Sequence, residues 1–343
     1  MANKERKFKM IKVAINGFGR IGRIAFRQMI TTTDFDIVAI NDLTNAEDLA
    51  YLLKYDTDHG SFHEDEISFD NDELIIAGTK RIKVYSEADP VNLPWGNLDV
   101  DLVLECTGRF TDAEKAKAHI TAGAKKVLIS APAKGDLKTI VYSVNDQNLD
   151  GTEKIISAAS CTTNCLAPVL KVIDDNNKII RGYMTTVHAY TNDQATLDIA
   201  HKKGIYARRG RACAQNIVPA STGAASAIGE VIPSLKGKMD GHAFRVPVSD
   251  GSVIDVTLEL ERNTSVEEIN NLFKSNVSEV LMATNDPIVS SDVLNKKCGA
   301  LVDMLSTKIL EVDGKQLVKV IAWYDNEFGY TAQMLRTAKA MFR

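Results

Sequence analysis

Apolar positions fall into two textures along the 343 residues. In the first half they form short continuous runs separated by amphipathic stretches. Met10-Ile11-Lys12-Val13-Ala14-Ile15-Asn16 reads as a buried strand, and a helical pattern through Ile24, Phe26 and Ile30 follows it. Asp36-Ile37-Val38-Ala39-Ile40-Asn41-Asp42 reads as a second strand ending in an acid. The alternation continues with a strand from Asp101 to Cys106, a helix from Thr111 to Ala122 and a strand from Lys126 to Ser130. Apolar strands alternating with helices predict a mostly parallel sheet covered on both faces, an α/β doubly wound domain.

After about residue 160 the pattern changes. Longer strands are expected at His242 to Ser249, Ser252 to Leu260, Leu301 to Leu310 and Val318 to Asp325. Thr264-Ser265-Val266-Glu267 reads as a capping box before Ile269, Leu272 and Phe273. This half predicts an α+β domain built on a mostly antiparallel sheet. The last helical stretch, Thr331 to Phe342, is amphipathic.

Composition adds limits. A net charge of -4 and 25% charged residues give no reason to expect nucleic acid or an anionic membrane as partner. Residues 1–9 are polar and basic without an apolar core, and no apolar run is long enough to span a bilayer, so the cytoplasm is expected. Five cysteines do not form a disulfide framework and suit a reducing compartment.

Gly17-x-Gly19-x-x-Gly22 lies between a strand and a helix, with Asp42 twenty residues after Gly22 at the next strand's end. The first glycine permits a tight turn, the second lets backbone approach a pyrophosphate, and the third lets helix pack on strand. Asp42 in that place would bond ribose hydroxyls and repel a 2′-phosphate, which favours NAD over NADP.

The strongest candidate chemistry is Ser160-Cys161-Thr162-Thr163-Asn164-Cys165, with His188 in the next strand-like run. Ser160 reads as an N-cap and Cys161 as the first helical residue, where backbone N–H groups favour a thiolate. Cys165 lies one turn deeper and is expected to face inward as a small hydrophobe. The Cys-x-x-x-Cys spacing with one histidine does not fit zinc, and no metal is expected. Arg208, Arg209 and Arg211 crowd one loop, Ser221-Thr222-Gly223 precedes an Ala-rich helical run, and Arg245 sits in a strand. Arginines near helix-start donors suit phosphate binding, and an arginine run is also commonly a solvated face.

Taken together, Asn16-Gly17-Phe18-Gly19-Arg20-Ile21-Gly22-Arg23, Ala159-Ser160-Cys161-Thr162-Thr163-Asn164-Cys165, Thr185-Thr186-Val187-His188-Ala189-Tyr190-Thr191 and Trp323-Tyr324-Asp325-Asn326-Glu327 closely resemble the phosphorylating glyceraldehyde-3-phosphate dehydrogenase family. The resemblance runs from about Lys9 to the C-terminus. It implies a Rossmann NAD-binding domain made of residues 1–160 and 327–343, a catalytic domain of 161–326, and a homotetramer. It also implies Cys161 as nucleophile and His188 as its base. Thr191 and Arg245 would hold the sugar phosphate, and Ser160, Thr162, Thr222 and Gly223 the attacking inorganic phosphate. Arg209 best matches the family's loop arginine, with Arg208 and Arg211 as the other choices. Arg20, Ile21, Asp42, Thr107 and Ser130 would contact NAD, and Asn326 would orient the nicotinamide amide.

The segment from Leu197 to Arg211 resembles the family's S-shaped loop but is longer before its arginines, with Ala200 where many NAD-dependent members have proline. The expected reaction is oxidation of glyceraldehyde 3-phosphate through a thioester that inorganic phosphate cleaves to 1,3-bisphosphoglycerate. Two other readings stand beside it: erythrose-4-phosphate dehydrogenase, and a non-catalytic NAD-binding or adhesion protein on the same fold.

Overall fold

A computed structural model describes residues 10–202, 204 and 206–343. The basic stretch 1–9 and loop positions 203 and 205 lie outside the described residues. Packing divides the chain into two units. The first comprises Met1–Thr139, Leu149–Ala158 and Leu335–Arg343; the second comprises Ile140–Asn148 and Ala159–Met334. Both differ in detail from a division at 160 and 327, because Ile140–Asn148 packs with the second unit and the final helix is shared out at 334.

The first unit runs β1 (Ile11–Asn16), α1 (Arg20–Met29), β2 (Phe35–Asn41), α2 (Ala46–Lys54), β3 (Ile67–Asp70), β4 (Glu73–Ile76), β5 (Lys80–Tyr85), β6 (Leu102–Glu105), α3 (Ala113–Thr121), β7 (Lys126–Ile129), β8 (Lys138–Thr139) and β9 (Ile155–Ser157). Its nine-stranded sheet has the order β3-β4-β5-β2-β1-β6-β7-β9-β8. All pairings from β5 to β8 are parallel, and only the β3-β4-β5 edge is antiparallel. Sequential strands β1 and β2 lie on one side and β6 on the other, so strand order reverses beside β1 and opens a crevice at the strands' carboxyl ends. Val13, Ala14, Ile15, Leu102, Val103 and Leu104 are completely buried, as the continuous apolar runs require.

The second unit runs α4 (Cys161–Asn176), β10 (Ile179–Ala189), β11 (Val218–Ser221), α5 (Ala224–Val231), β12 (Met239–Val246), β13 (Ser252–Leu260), α6 (Val266–Ser275), β14 (Leu281–Thr284), β15 (Ala300–Asp303), β16 (Lys308–Val312) and β17 (Lys315–Tyr324). α7 (Phe328–Ala340) closes the chain. The sheet order is β11-β12-β10-β13-β17-β15-β14, with β16 paired to β17. Five of its seven pairings are antiparallel, including β10 with β13 and β13 with β17; β10 with β12 and β14 with β15 are parallel. α4, α5 and α6 cover one core through Leu166, Val169, Leu170, Ile228 and Phe273.

Three local expectations are corrected. The expected strand from Leu301 to Leu310 is two strands, because Asp303 accepts a hydrogen bond from the Leu305 N–H and turns the chain between β15 and β16. The N-cap of α6 is Ser265, which accepts from the Glu268 N–H; Thr264 bonds instead to the Glu268 carboxylate. α7 begins at Phe328, not Thr331, since the Asp325 carboxylate accepts from the Glu327 and Phe328 N–H groups. Short polar side chains cap whichever N–H geometry presents, so spacing alone misplaces a cap by a residue or more.

Candidate active site

In the first unit, the glycine motif forms the turn from β1 into α1. Gly17 has φ +92°, and a Cβ there would lie 2.7 Å from the Thr107 nitrogen. At Gly22 a Cβ would lie 2.2 Å from the Gly17 carbonyl oxygen, so this glycine sets how closely α1 packs on the turn. Gly19 is the N-cap of α1, and a Cβ there would meet nothing within 4 Å. The first turn of α1 is therefore uncapped by any side chain and faces open space, with donor N–H groups left for an anion.

That turn borders a cavity of about 260 Å³ lined by Gly17, Gly19, Asn41, Asp42, Thr107 and Arg109, among others. Asp42 lines the cavity and braces the turn as well: one carboxylate oxygen accepts from the Phe18 N–H at 2.7 Å, the other from the Thr44 N–H at 3.2 Å. Ile21 and Arg20 occupy the first turn of α1. The Arg20 guanidinium is held by Asp56 at 2.6 Å and Asp58 at 3.4 Å, so its backbone is what the turn presents. Ser130 directly follows β7 and hydrogen-bonds the Cys106 thiol, which burial beside Glu105 pushes up to about 12.

Behind the cavity lies a buried polar chain that periodicity did not reveal. The Trp95 indole donates to His119 Nδ1 at 3.0 Å, which leaves the ring's other nitrogen to donate to Glu105 at 3.0 Å. Glu105 also accepts from the Asn16 amide at 2.6 Å and from both the N–H and hydroxyl of Thr107. It thereby ties the ends of β1 and β6 together under the glycine turn.

In the second unit, Ser160 caps α4 by accepting from the Thr163 N–H at 3.0 Å, and Cys161 is the first helical residue. Ala159, just before the cap, has φ +59°, a left-handed conformation that costs a non-glycine residue about 1 kcal/mol. The Tyr330 hydroxyl donates to the Ala159 carbonyl at 3.2 Å and steadies this turn. The turn aims Cys161 Sγ at His188 Nε2, 3.3 Å away. Cys165 is fully buried beneath it.

His188, the second-last residue of β10, is buried, with Nδ1 2.7 Å from the Ala189 carbonyl and 2.8 Å from Arg245 Nη1. Register explains the second distance: His188 and Arg245 are direct partners in the β10–β12 ladder. Arg245 Nη1 also donates to the Ala189 carbonyl at 2.9 Å and to Thr191 Oγ1 at 3.4 Å. Thr191 and Arg209 both bond to Asp193, an acid that motif reading passed over. Arg211 turns instead to Asp198, and Arg208 is exposed, so Arg209 is the loop arginine joined to the cluster.

Tyr324, from β17, is a second residue missed in the sequence. Its buried hydroxyl bonds Thr162 Oγ1 at 2.8 Å and Thr186 Oγ1 at 2.9 Å, and its ring packs edge-on to His188. Asn326 joins through Ser252, whose hydroxyl donates to Asn326 Oδ1 at 2.6 Å and accepts from the Ala189 N–H at 3.0 Å. Thr222 and Gly223 stand at the start of α5, where Thr222 Oγ1 accepts from the Ala224 N–H. They make no hydrogen bond to the Cys161 cluster among the described residues.

Electrostatics qualify the expected thiolate. Burial raises the Cys161 thiol above its ordinary value, while the Arg245 charge and hydrogen bonds from Thr162 pull it down. Burial, reinforced by the Arg245 charge, depresses His188 to about 3, so the ring is neutral at pH 7. The pair is thus a neutral imidazole beside a thiol, within reach of proton transfer.

A family model for the glyceraldehyde 3-phosphate dehydrogenase C-terminal domain matches residues 160–326, and one for that enzyme's NAD binding domain matches 11–113. The chain belongs to the glyceraldehyde-3-phosphate dehydrogenase family. It is 57% identical over 328 residues to the glyceraldehyde-3-phosphate dehydrogenase of Clostridium pasteurianum, covering 96% of this chain and 97% of the relative. Identity is 56% over 328 residues to that of Clostridium acetobutylicum, with the same coverage. It is 52% over 329 residues to that of Streptococcus pyogenes, covering 96% and 97%. The protein is an NAD-dependent oxidoreductase with a Rossmann domain and an α+β domain. The uncapped α1 turn, the open space at Gly19 and the acid at Asp42 fit that cofactor's pyrophosphate and ribose. No helix among the described residues is long and apolar enough to cross a membrane.

Proposed function

We propose that this chain oxidises glyceraldehyde 3-phosphate and couples the oxidation to formation of 1,3-bisphosphoglycerate, with Cys161 and His188 as its catalytic pair. The 3.3 Å approach of Cys161 Sγ to His188 Nε2, at a capped helix start, carries the reading. Cys161 sulfur attacks the aldehyde carbon and forms a C–S bond as the carbonyl π bond breaks, and the thiol proton passes by way of His188 Nε2 to the carbonyl oxygen, giving a hemithioacetal. His188 Nε2 accepts the hemithioacetal hydroxyl proton, which makes the carbon a competent hydride donor. NAD, when bound, supplies the hydride acceptor. The carbon is left as a thioester on Cys161. The Cys161 and Thr162 N–H groups at the start of α4, which have no intrahelical partner, stabilise the oxyanion of the tetrahedral adducts that precede and follow the thioester. A phosphate oxygen then attacks the thioester carbon, the C–S bond breaks, and Cys161 leaves as thiolate.

The other roles follow the same logic. Thr191 and Arg245 hold the sugar phosphate, with Arg209 placed by Asp193 beside them. Ser160, Thr162, Thr222 and Gly223 hold the inorganic phosphate. Gly17, Gly19, Gly22, Arg20 and Ile21 form the pyrophosphate turn; Asp42 takes the ribose, and Thr107 and Ser130 complete the groove. Asn326, fixed by Ser252, orients the nicotinamide amide. Residues 1–160 with 327–343 serve the cofactor and 161–326 the chemistry. A cytoplasmic homotetramer fits the five free cysteines and the exposed apolar Leu197, Ile199 and Ile217 of the second unit.

NADH formation from glyceraldehyde 3-phosphate, followed with and without inorganic phosphate, tests the reading. Multiple turnovers are expected only with phosphate. Sustained turnover without it would point to hydrolysis of the acyl enzyme and to erythrose 4-phosphate as the sugar to try.

A further inference from the structure

His188 has two hydrogen-bonding options at Nδ1, and they exclude each other. The Ala189 carbonyl, 2.7 Å away, can only accept, whereas Arg245 Nη1, 2.8 Å away, can only donate. A proton on Nδ1 points at Ala189 and leaves a lone pair on Nε2, facing Cys161 Sγ. A bare Nδ1 accepts from Arg245 instead, and the neutral ring's proton then sits on Nε2. In that second form Nε2 cannot take a proton from the sulfur or from a hydroxyl built on it.

Arg245 is also an incompletely satisfied cation. Its Nη1 is shared among His188, the Ala189 carbonyl and Thr191, while its Nε is buried with no acceptor among the described residues. A buried guanidinium donor without an acceptor calls for an anion.

We propose that Arg245 couples the phosphate of the substrate to the tautomer of His188. A phosphate dianion engaging the guanidinium draws the Nη1–H away from Nδ1. The imidazole proton then moves from Nε2 to Nδ1 by way of water, where the Ala189 carbonyl accepts it. The ring carries one proton before and after, and Nε2 gains the lone pair that the hydride-forming step uses. This rests on the reading of Arg245 as a phosphate ligand and deepens it: the phosphate prepares the base as well as anchoring the sugar.

The charges around the ring support the same coupling. It faces Cys161 from α4, Arg245 from β12, Tyr324 from β17, and Arg209 and Asp193 from the loop after β10. Burial and the two arginines hold the imidazole's proton affinity down, against the opposing pull of the Ala189 carbonyl and Asp193. A dianion on the arginines offsets their charge, so the affinity of the ring for a proton rises. A base of higher pKa loses activity at a higher pH on the acid side, which gives the sign of the test.

The test is the single-turnover burst of NADH from the NAD-loaded enzyme, measured across pH with three additions: glyceraldehyde 3-phosphate, glyceraldehyde alone, and glyceraldehyde with phosphite. At saturating glyceraldehyde, phosphite is expected to raise the burst rate constant about tenfold or more. It is also expected to move the acid limb up by about one pH unit, toward that of the phosphorylated sugar. Arg245→Met should abolish both responses, which separates Arg245 from any second anion site; Arg245→Lys keeps the charge if the methionine variant does not fold. The proposal is overturned if phosphite lowers only the glyceraldehyde concentration needed and leaves the saturated burst and its acid limb unchanged. No burst with glyceraldehyde 3-phosphate itself would instead remove the function on which the proposal rests.

Discussion

The starts of α1 and α4 are built on one plan and finished differently. Each follows a strand through a left-handed residue, Gly17 with φ +92° or Ala159 with φ +59°, and each opens with backbone N–H groups that favour negative charge. At α1 the cap is Gly19, no side chain intervenes, and the donors face a cavity. At α4 the cap is Ser160, which takes the Thr163 N–H, and the first helical residue brings its own sulfur. The first start is suited to an anion from outside, the second to one made in place. Glycine and serine at one position separate a binding site from a reactive one.

Removing the sulfur should break the comparison most sharply. Cys161→Ser is expected to lower kcat by about 10⁴-fold or more, while calorimetry finds the NAD dissociation constant unchanged. Substantial residual turnover would place the chemistry elsewhere. At the other start, Gly22→Val forces a Cβ onto the Gly17 carbonyl. NAD affinity should fall about 100-fold, and the Cys161 alkylation rate in the absence of NAD should hold. Equal loss of both would mean the two starts are not independent.

Asp42→Asn is a smaller change, removing the charge and keeping the shape. It should weaken NAD binding about tenfold and narrow the preference over NADP, as measured by the ratio of kcat/KM for the two. An unaltered ratio would leave Asp42 as a brace for Phe18 and Thr44 only. The mildest test is Ser160→Ala, which deletes the cap that distinguishes α4. Stability in urea should drop by about 1 kcal/mol. A larger loss in burst rate than in stability would indicate that the cap also aims Cys161.

The elements closest to these starts were legible because their signals are local. Gly17 answers the positive φ of a tight turn, Gly22 the close approach of α1 to that turn, and Ser160 before Cys161 reads as a cap from adjacent residues. Glu105, His119 and Trp95 were silent, since their meaning comes from side chains that meet across strands and helices far apart in sequence. Tyr324 and Asp193 were passed over for the same reason: one bridges Thr162 and Thr186 across the sheet, the other joins Thr191 to Arg209. Protonation was the least legible property. A helix start favours thiolate, but burial of Cys161 acts against it, and burial is a product of the whole fold.

The most direct test of the central claim is mass spectrometry of the enzyme mixed with glyceraldehyde 3-phosphate and NAD without inorganic phosphate. The account predicts a single acyl adduct on the peptide carrying Cys161, which disappears on adding phosphate. NADH formation with no adduct, or an adduct on Cys106, Cys165, Cys213 or Cys298, would contradict it.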